Sequence, residues 1–330
     1  MAERSLKKYI IITSIFNPTE AIEKFALLKD YQLVVVGDRK TPPDWTYPNC
    51  IYLGMSDQAA LAQDLSNVIP LNHYGRKMLG YIYATRQGAD IIIDTDDDNI
   101  PYDHWDFPSF EGDFQSTSDD LGWINIYKHF SDQVIWPRGL PLRCITETHN
   151  PLKWNENYAF QKVAVWQGLA DEDPDVDAIY RLTSNKPCIF KKNVPLVLEK
   201  GTVTPFNSQN TAFQKKFFPL LFLPSFVTFR FTDILRSIIA QPIIWQQGYR
   251  LGFTQATVIQ KRNEHDYLKD FESEVPMYLH TEKAFTAVLG SISSTDTISD
   301  SLYNGYQSLL KIGVVEQNEI SVLEEWLKLF

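Results

Sequence analysis

The chain has 330 residues, 44% of them hydrophobic and 22% charged, the make-up of a folded globular protein with one large α/β domain or two small ones. A net charge of −10 excludes general nucleic-acid binding, which needs a basic surface, while leaving room for one phosphate-bearing ligand in a local basic pocket. Cys50, Cys144 and Cys188 lie far apart with no CxxC pair, which excludes a disulfide framework or zinc knuckle and favours a reducing compartment.

From the N-terminus, Tyr9–Ile15 is a β-branched run closed by Asn17-Pro18, the pattern of a strand buried on both faces of a parallel sheet. Its apolar part is too short for a signal core or a membrane span. The later apolar stretch Phe217–Phe231 is broken by Pro219, Pro224 and Arg230. No transmembrane segment is therefore expected, and the expected location is cytoplasmic. Thr19–Leu28 has helical spacing with Thr19 as N-cap, and Gln32–Val36 is a second buried strand ending at Gly37-Asp38. Strand, helix and strand with short links predict a right-handed βαβ unit.

A Pro-rich loop over 41–48 precedes a short strand at Ile51–Leu53 and helices at Asp57–Leu65 and His73–Gln87, the latter closed by Gly88. Ala89–Ile93 is a third buried strand that runs into Asp94-Thr95-Asp96-Asp97-Asp98-Asn99. Further on, short strands are expected near 122–126, 178–182 and 226–229. A helix over Thr232–Gly248, kinked at Pro242, and a strand over Gly252–Val258 follow. Two or three amphipathic helices occupy the segment from Thr281, ending with Gln317–Leu329. The simplest partition is one domain over 1–280 with a helical extension over 281–330 packed on it. Alternating strands and helices define an α/β fold with a mostly parallel central sheet, and ligands bind at the carboxyl ends of strands in such sheets.

The acidic run carries the sharpest chemical signal. Four aspartates crowd together after an apolar strand, and a hard cation with oxygen ligands, Mg²⁺ or Mn²⁺, offsets their repulsion. Residues two apart on an extended segment face the same way, so Asp96 and Asp98 are positioned to share an ion. Magnesium-type ions take one or two carboxylates and leave positions for substrate phosphates. Arg76-Lys77, at the start of the preceding helix, are candidate phosphate partners, or else a solvated basic pair. Neither a P-loop nor a dinucleotide fingerprint occurs. Asp233 opens the helix after an apolar segment, where a carboxylate serves as an N-cap or as a general base for an acceptor hydroxyl. Asp171-Glu172-Asp173-Pro174-Asp175-Val176-Asp177 is a second acidic segment, and His265 is a lone late histidine.

The stretches VVVGDRKTP (34–42), Tyr74–Gly80 with DTDDDN (94–99), QGLADEDPDVDAIYRLT (167–183), PFNSQNT (205–211), TDILRSIIAQPIIW (232–245) and RNEHDYLKDF (262–271) carry a resemblance. Across residues 8 to 280 the chain resembles the catalytic-type domain of the STELLO proteins, glycosyltransferase-like proteins of plants. More loosely it is similar to the reversibly glycosylated proteins, the UDP-arabinopyranose mutases. Both resemblances imply a GT-A fold, in which a DxD-type motif holds a divalent metal on the donor diphosphate. That role falls here on Asp96 and Asp98, with Asp94 or Asp97 assisting and His265 as a late ligand. Asp233 matches the acidic residue that opens a helix beneath the acceptor, although Thr232-Asp233 stands where many such enzymes have Glu-Asp. The plant proteins' Golgi membrane location is not carried over, because no anchor-like segment is visible in this sequence.

The expected activity is transfer of a sugar from a nucleotide-sugar donor, UDP-linked by preference, to a glycan or other hydroxyl-bearing acceptor. Asp38, Arg76, Lys77 and Asp96 would hold the donor, and Asn207, Ser208 and Gln209 would shape the sugar or acceptor pocket. The alternatives are a nucleotide-sugar mutase, which needs no separate acceptor, and a non-catalytic nucleotide-sugar-binding scaffold.

Overall fold

The computed structural model describes residues 5–145, 158–261 and 266–330. Its strands are β1 (Lys8–Thr13), β2 (Tyr31–Val36), β3 (Cys50–Leu53), β4 (Ile91–Thr95), β5 (Asn99–Pro101), β6 (Glu111–Ser116), β7 (Gly122–Trp123), β8 (Ala159–Glu172), β9 (Leu196–Leu198), β10 (Thr202–Val203), β11 (Asn210–Gln214) and β12 (Arg250–Gln260). Its α-helices are α1 (Glu20–Phe25), α2 (Met55–Leu61), α3 (Gln63–Val68), α4 (Lys77–Arg86), α5 (Tyr127–Phe130), α6 (Leu142–Ile145), α7 (Ala178–Thr183), α8 (Thr232–Gln246), α9 (Tyr267–Ser291), α10 (Ile298–Lys311) and α11 (Gln317–Leu327).

Ten of the strands form one sheet in the order β3-β2-β1-β4-β11-β8-β6-β9-β12-β5, with an additional parallel pairing of β8 and β12. The sheet is mixed, where the sequence led us to expect it mostly parallel. Strands β1 to β4 pair in parallel, but β11 is antiparallel to both β4 and β8. Two reversals restore the direction, so β8 and β12 run the same way as β1 and β4. Their carboxyl ends, together with the amino end of β11, meet along one edge.

The period of two along each strand divides the core into two layers. Ile10 and Ile12 of β1 pack with Leu33, Val35 and Ile93 against α1 and Trp105. Ile11 packs with Val34, Val36 and Ile92 on the other side, where α4, α8 and the C-terminal helices lie. Gly80 lets α4 sit directly on this layer. A Cβ there would come within 2.5 Å of the Ile11 Cγ2 and 2.7 Å of the Val36 Cγ2.

Several expected elements differ from the observed ones. Residues 178–182 are helical, because Asp177 is an N-cap whose carboxylate accepts the Tyr180 N–H. Residues 226–229 are not a strand. The Ser225 and Phe226 N–H groups donate to the buried Glu319 carboxylate of α11, and a 3₁₀ turn over Phe229–Phe231 follows. The expected helix at 57–65 is two helices joined at Ala62. The expected helix from His73 begins as a 3₁₀ turn at Tyr74–Arg76. Helix α8 passes through Pro242, and α9 begins at Tyr267, so residue 281 falls inside it. Among the described residues no helix is long and apolar enough to cross a membrane.

Glu319 provides a test of this packing. Burial pushes its carboxyl up to about 7, only partly opposed by the Ser225 and Phe226 N–H donors. Between its unfolded value near 4.5 and about 7, the folded state binds the extra proton, so unfolding free energy falls as pH rises through this window. A difference of one pH unit between folded and unfolded values is worth about 1.4 kcal/mol. Urea denaturation of the wild type from pH 5 to pH 8 should therefore show a loss on the order of 1–3 kcal/mol from this group. Glu319→Gln should flatten the profile, and an unchanged slope would show that other groups set it.

Candidate functional site

Parallel strands deliver their carboxyl ends to one edge, and helices that lead into such strands begin there. The edge therefore gathers Thr13 and Ser14 after β1, Gly37 and Asp38 after β2, Asp96–Asp98 after β4, Asp175 after β8 and Gln260 at the end of β12. The loop before β11 adds Asn207, Ser208 and Gln209. The starts of α4 and α8 add Tyr74 and Asp233. Thr13, Tyr74, Asp96, Asp97, Asp98, Arg138, Asp175, Asn207, Ser208, Gln209, Phe229, Arg230, Asp233 and Gln260 line a cleft of about 250 Å³.

The acidic turn is held by its neighbours. The Thr95 hydroxyl (2.7 Å) and the Asn99 amide (3.0 Å) both donate to the Gln209 carbonyl. Thr19 donates to the Asp97 carbonyl and Ser14 to the Asp97 carboxylate, each at 2.5 Å. Gln260 donates to Asp98 at 3.1 Å. Behind the turn lies an ionic core. Asp94, fully buried, receives Lys77 Nζ at 2.6 Å and an Arg236 guanidinium nitrogen at 2.7 Å, and Lys77 also reaches Asp96 at 2.8 Å. Burial alone would lower the Lys77 ammonium, but the carboxylates of Asp94 and Asp96 outweigh it and hold it above its usual range. Asp96 is pushed up to about 7 by burial, with Asp98 and Asp94 adding to the rise against the pull of Lys77.

On the far wall, one guanidinium joins two carboxylates. Arg138 meets Asp175 at 2.7 and 2.9 Å and Asp233 at 2.9 and 3.1 Å. Asp175 also accepts the Asn207 amide at 3.0 Å, and Asp233 accepts the Ser208 N–H and hydroxyl, each at 3.4 Å. Asp233 is not the N-cap of α8. The cap position is Phe231, and the Asp233 carboxylate instead accepts the adjacent Ile234 N–H while facing the cleft.

A second chamber of about 220 Å³ adjoins the cleft and shares Thr13, Tyr74, Asp97 and Phe229 with it. Ser14, Ile15, Phe16, Val36, Gly37, Asp38, Lys40, Asn72, His73 and Arg76 complete its lining.

The structure thus gathers Asp96, Asp98, Asn207, Gln209 and Asp233 around the cleft, with Asp38 in the adjoining chamber. Lys77 lies beneath the acidic turn, fully buried against Asp94 and Asp96. The Arg76 guanidinium does not face the acidic turn. It is spent on Gln58 Oε1, the Ser66 hydroxyl and the carbonyls of Ser66 and Ile69 in the α2–α3 hairpin. His265 lies outside the described residues. Sequence reasoning missed Arg138, Tyr74, Phe229 and Gln260, which stand alone in loops or at element ends. None of them carried a local signal: the need for a cation between Asp175 and Asp233 follows only once the fold buries the two carboxylates together.

Oxygen ligands from the acidic turn are the side chains of the cleft that could contribute to a divalent-ion site. Among the described residues no group of three or more His, Cys, Asp or Glu side chains is arranged to hold a metal ion by itself. Asp96, Asp97 and Asp98 nonetheless crowd one wall, and their mutual repulsion is what a cation relieves. An ion of the magnesium type needs only one or two of them when phosphates fill the rest of its shell.

An acidic cleft thus lies at the carboxyl edge of a large α/β sheet, with a largely apolar chamber beside it. A family model described as STELLO glycosyltransferases matches residues 230–328, from the foot of the cleft through α11. Two Arabidopsis thaliana proteins are similar to the chain. "Probable glycosyltransferase STELLO2" is 26% identical over 98% of this chain and 44% of its own length. "Probable glycosyltransferase STELLO1" is 28% identical over 73% of this chain and 34% of its own length. The chain therefore spans less than half the length of these curated relatives.

The ionic core should be costly to break. Arg236→Leu leaves Asp94 with Lys77 alone and removes the donor to the Asn207 carbonyl. Breaking a buried pair by removing one partner costs about 3–5 kcal/mol. Denaturant titration should show a loss of that size, and a loss below about 1 kcal/mol would mean that Lys77 alone balances Asp94.

Proposed function

We propose that the chain is a metal-dependent glycosyltransferase domain. In this reading it moves a glycosyl group from a nucleoside diphosphate sugar, UDP-linked by preference, to a hydroxyl of a glycan or other acceptor. The observation that carries the reading is the Asp96–Asp98 turn, set where the strand ends meet and flanked by the cleft and the apolar chamber. The similarity to proteins named as probable glycosyltransferases supports it. The three free thiols suit a cytoplasmic location, which belongs to the same proposal.

Asp96 and Asp98 would hold Mn²⁺ or Mg²⁺, which supplies Lewis-acid neutralisation of charge on the leaving diphosphate. Lys77 fixes Asp96 from below, and Asp96 lines the cleft. Asn207, Ser208 and Gln209 present a polar wall to the sugar. Asp233, oriented by Arg138, takes the proton of the attacking acceptor hydroxyl, and Ser208 bridges that carboxylate to the wall beside Tyr74.

Each role has its own variant. Asp96→Ala or Asp98→Ala should abolish Mn²⁺-dependent binding of UDP-sugars in calorimetry while far-UV circular dichroism stays that of the wild type. Unchanged affinity in both variants would remove the acidic turn from the donor site. Asp233→Asn keeps the size and one acceptor oxygen for Arg138 but removes the basic carboxylate. General-base loss is worth about 10²–10⁴-fold, so turnover should fall roughly a hundredfold or more with donor affinity kept. Near-normal turnover would leave Asp233 a purely architectural partner of Arg138.

A further inference from the structure

The side chamber contains one polar group whose chemistry is fixed by its surroundings. His73 precedes the 3₁₀ turn, and its Nδ1 accepts the Gly75 N–H at 2.9 Å. Its own backbone N–H donates to the Asp38 carboxylate at 3.0 Å, which anchors the residue to the end of β2. Burial lowers the His73 imidazole below its usual range, against the weaker pull of Asp38, so the ring is neutral at physiological pH. A neutral ring that accepts at Nδ1 must carry its proton at Nε2. Nε2–H is therefore an obligatory donor, and it has no hydrogen-bond partner among the described residues.

Most other polar groups of the chamber contrast with it. Ser14 is engaged with Asp97 and the Phe16 N–H, Asp38 with the Arg39 and His73 N–H groups, and Arg76 with the α2–α3 hairpin. Lys40 and Asn72 are exposed, and water-facing donors discriminate weakly between ligands. The apolar lining consists of Ile15, Val36 and the rings of Phe16 and Phe229, which are 52% and 60% exposed. Such rings offer flat faces to a planar ligand. A half-buried donor beside aromatic faces, one cavity away from the acidic turn, fits a planar heterocycle with a carbonyl acceptor.

We propose that His73 is a specificity-determining residue of the donor site, its Nε2–H reading a ring carbonyl of the donor's base. The inference rests on the donor-site reading above and deepens it. Uracil has two ring carbonyls and adenine none, so the donor discriminates between them by leaving itself unpaired when adenine enters. A site built to satisfy a polar group rejects the analogue that cannot pair with it far more strongly than one that differs only in shape.

The test is calorimetric binding of UDP and ADP, each with Mn²⁺, to the wild type and to His73→Asn. Asparagine keeps an acceptor for the Gly75 N–H at the same cap position, where it is a preferred residue, but places no N–H at the reach of Nε2. UDP should bind the wild type at least tenfold more tightly than ADP. His73→Asn should lose roughly tenfold or more of its UDP affinity with ADP affinity unchanged, the effect of one desolvated hydrogen bond. In addition, 2-thio-UDP or 4-thio-UDP, whose sulfur is a poorer acceptor, should bind the wild type more weakly than UDP and the variant equally. Equal losses for UDP and ADP, or no loss for either, would overturn the assignment while leaving the donor site in place. A wild type that binds neither nucleotide would overturn both the donor site and this inference.

Discussion

Asp94 is the constraint on which the rest of the site depends. A carboxylate with no exposure is tolerated only where cations meet it, and Lys77 and Arg236 arrive from different helices to do so. That requirement fixes the start of α4 and the middle of α8 against the end of β4. Arg236 then carries the constraint onward by donating to the Asn207 carbonyl at 3.2 Å. The loop before β11 and the acidic turn are thereby placed against each other through one buried charge. The visible aspartates of the cleft are the outer part of this ionic core, and Lys77 is shared between Asp94 inside and Asp96 outside.

The mixed sheet explains how so many segments reach one edge. In a purely parallel sheet only strand ends and the starts of following helices would be present. The reversal at β11 brings a loop that leads into a strand, residues 207–209, to the same edge as loops that leave strands. The Gln209 carbonyl can then accept from both Thr95 and Asn99 on either side of the acidic turn. Gly168, opposite this region in β8, leaves the space that the Asn210 amide fills, since a Cβ there would lie 2.4 Å from its nitrogen.

The early strands and the acidic turn were legible in the sequence because each is a local signal. β-branched runs such as Ile10–Ile12 and Val34–Val36 need no partner to be read, and a chain of aspartates after such a run has few other uses. What was not legible depends on distant residues. Strand β8 is long and central, yet Gln167 and Gly168 interrupt its apolar run, and both are explained by contacts with Asn207 and Asn210. Segment 226–229 looked extended by composition, but Glu319 of α11 claims its backbone donors. Asp233 was legible as a carboxylate at a helix start, whereas its engagement by Arg138 was not, because 95 residues separate the two. Arg76 shows the opposite error, since a basic pair read as one feature is divided by helical geometry, Lys77 going to the acidic turn and Arg76 to the α2–α3 hairpin.

This division of Arg76 from Lys77 also separates the two cavities by character. Lys77 belongs to a charged half in which Asp96, Asp98, Asp175 and Asp233 are each balanced by a cation or an amide. The chamber on the other side of Tyr74 holds no salt bridge of its own among the described residues, and its Asp38 accepts only backbone N–H groups. There Arg76 donates to carbonyls that hold it away from the acidic turn, and much of the remaining lining is aromatic or aliphatic. Tyr74 stands at the junction, with Lys77 Nζ 5.1 Å from the centre of its ring, a T-shaped contact to Phe229 and its hydroxyl against Ser208. With a divalent cation on the acidic turn, as in the proposed function, a ligand with one strongly anionic part and one flat, weakly polar part is the chemical complement of such a pair. Either half alone would bind such a ligand weakly. The short distance across Tyr74 allows both halves to act on one molecule, which makes their effects multiply in affinity.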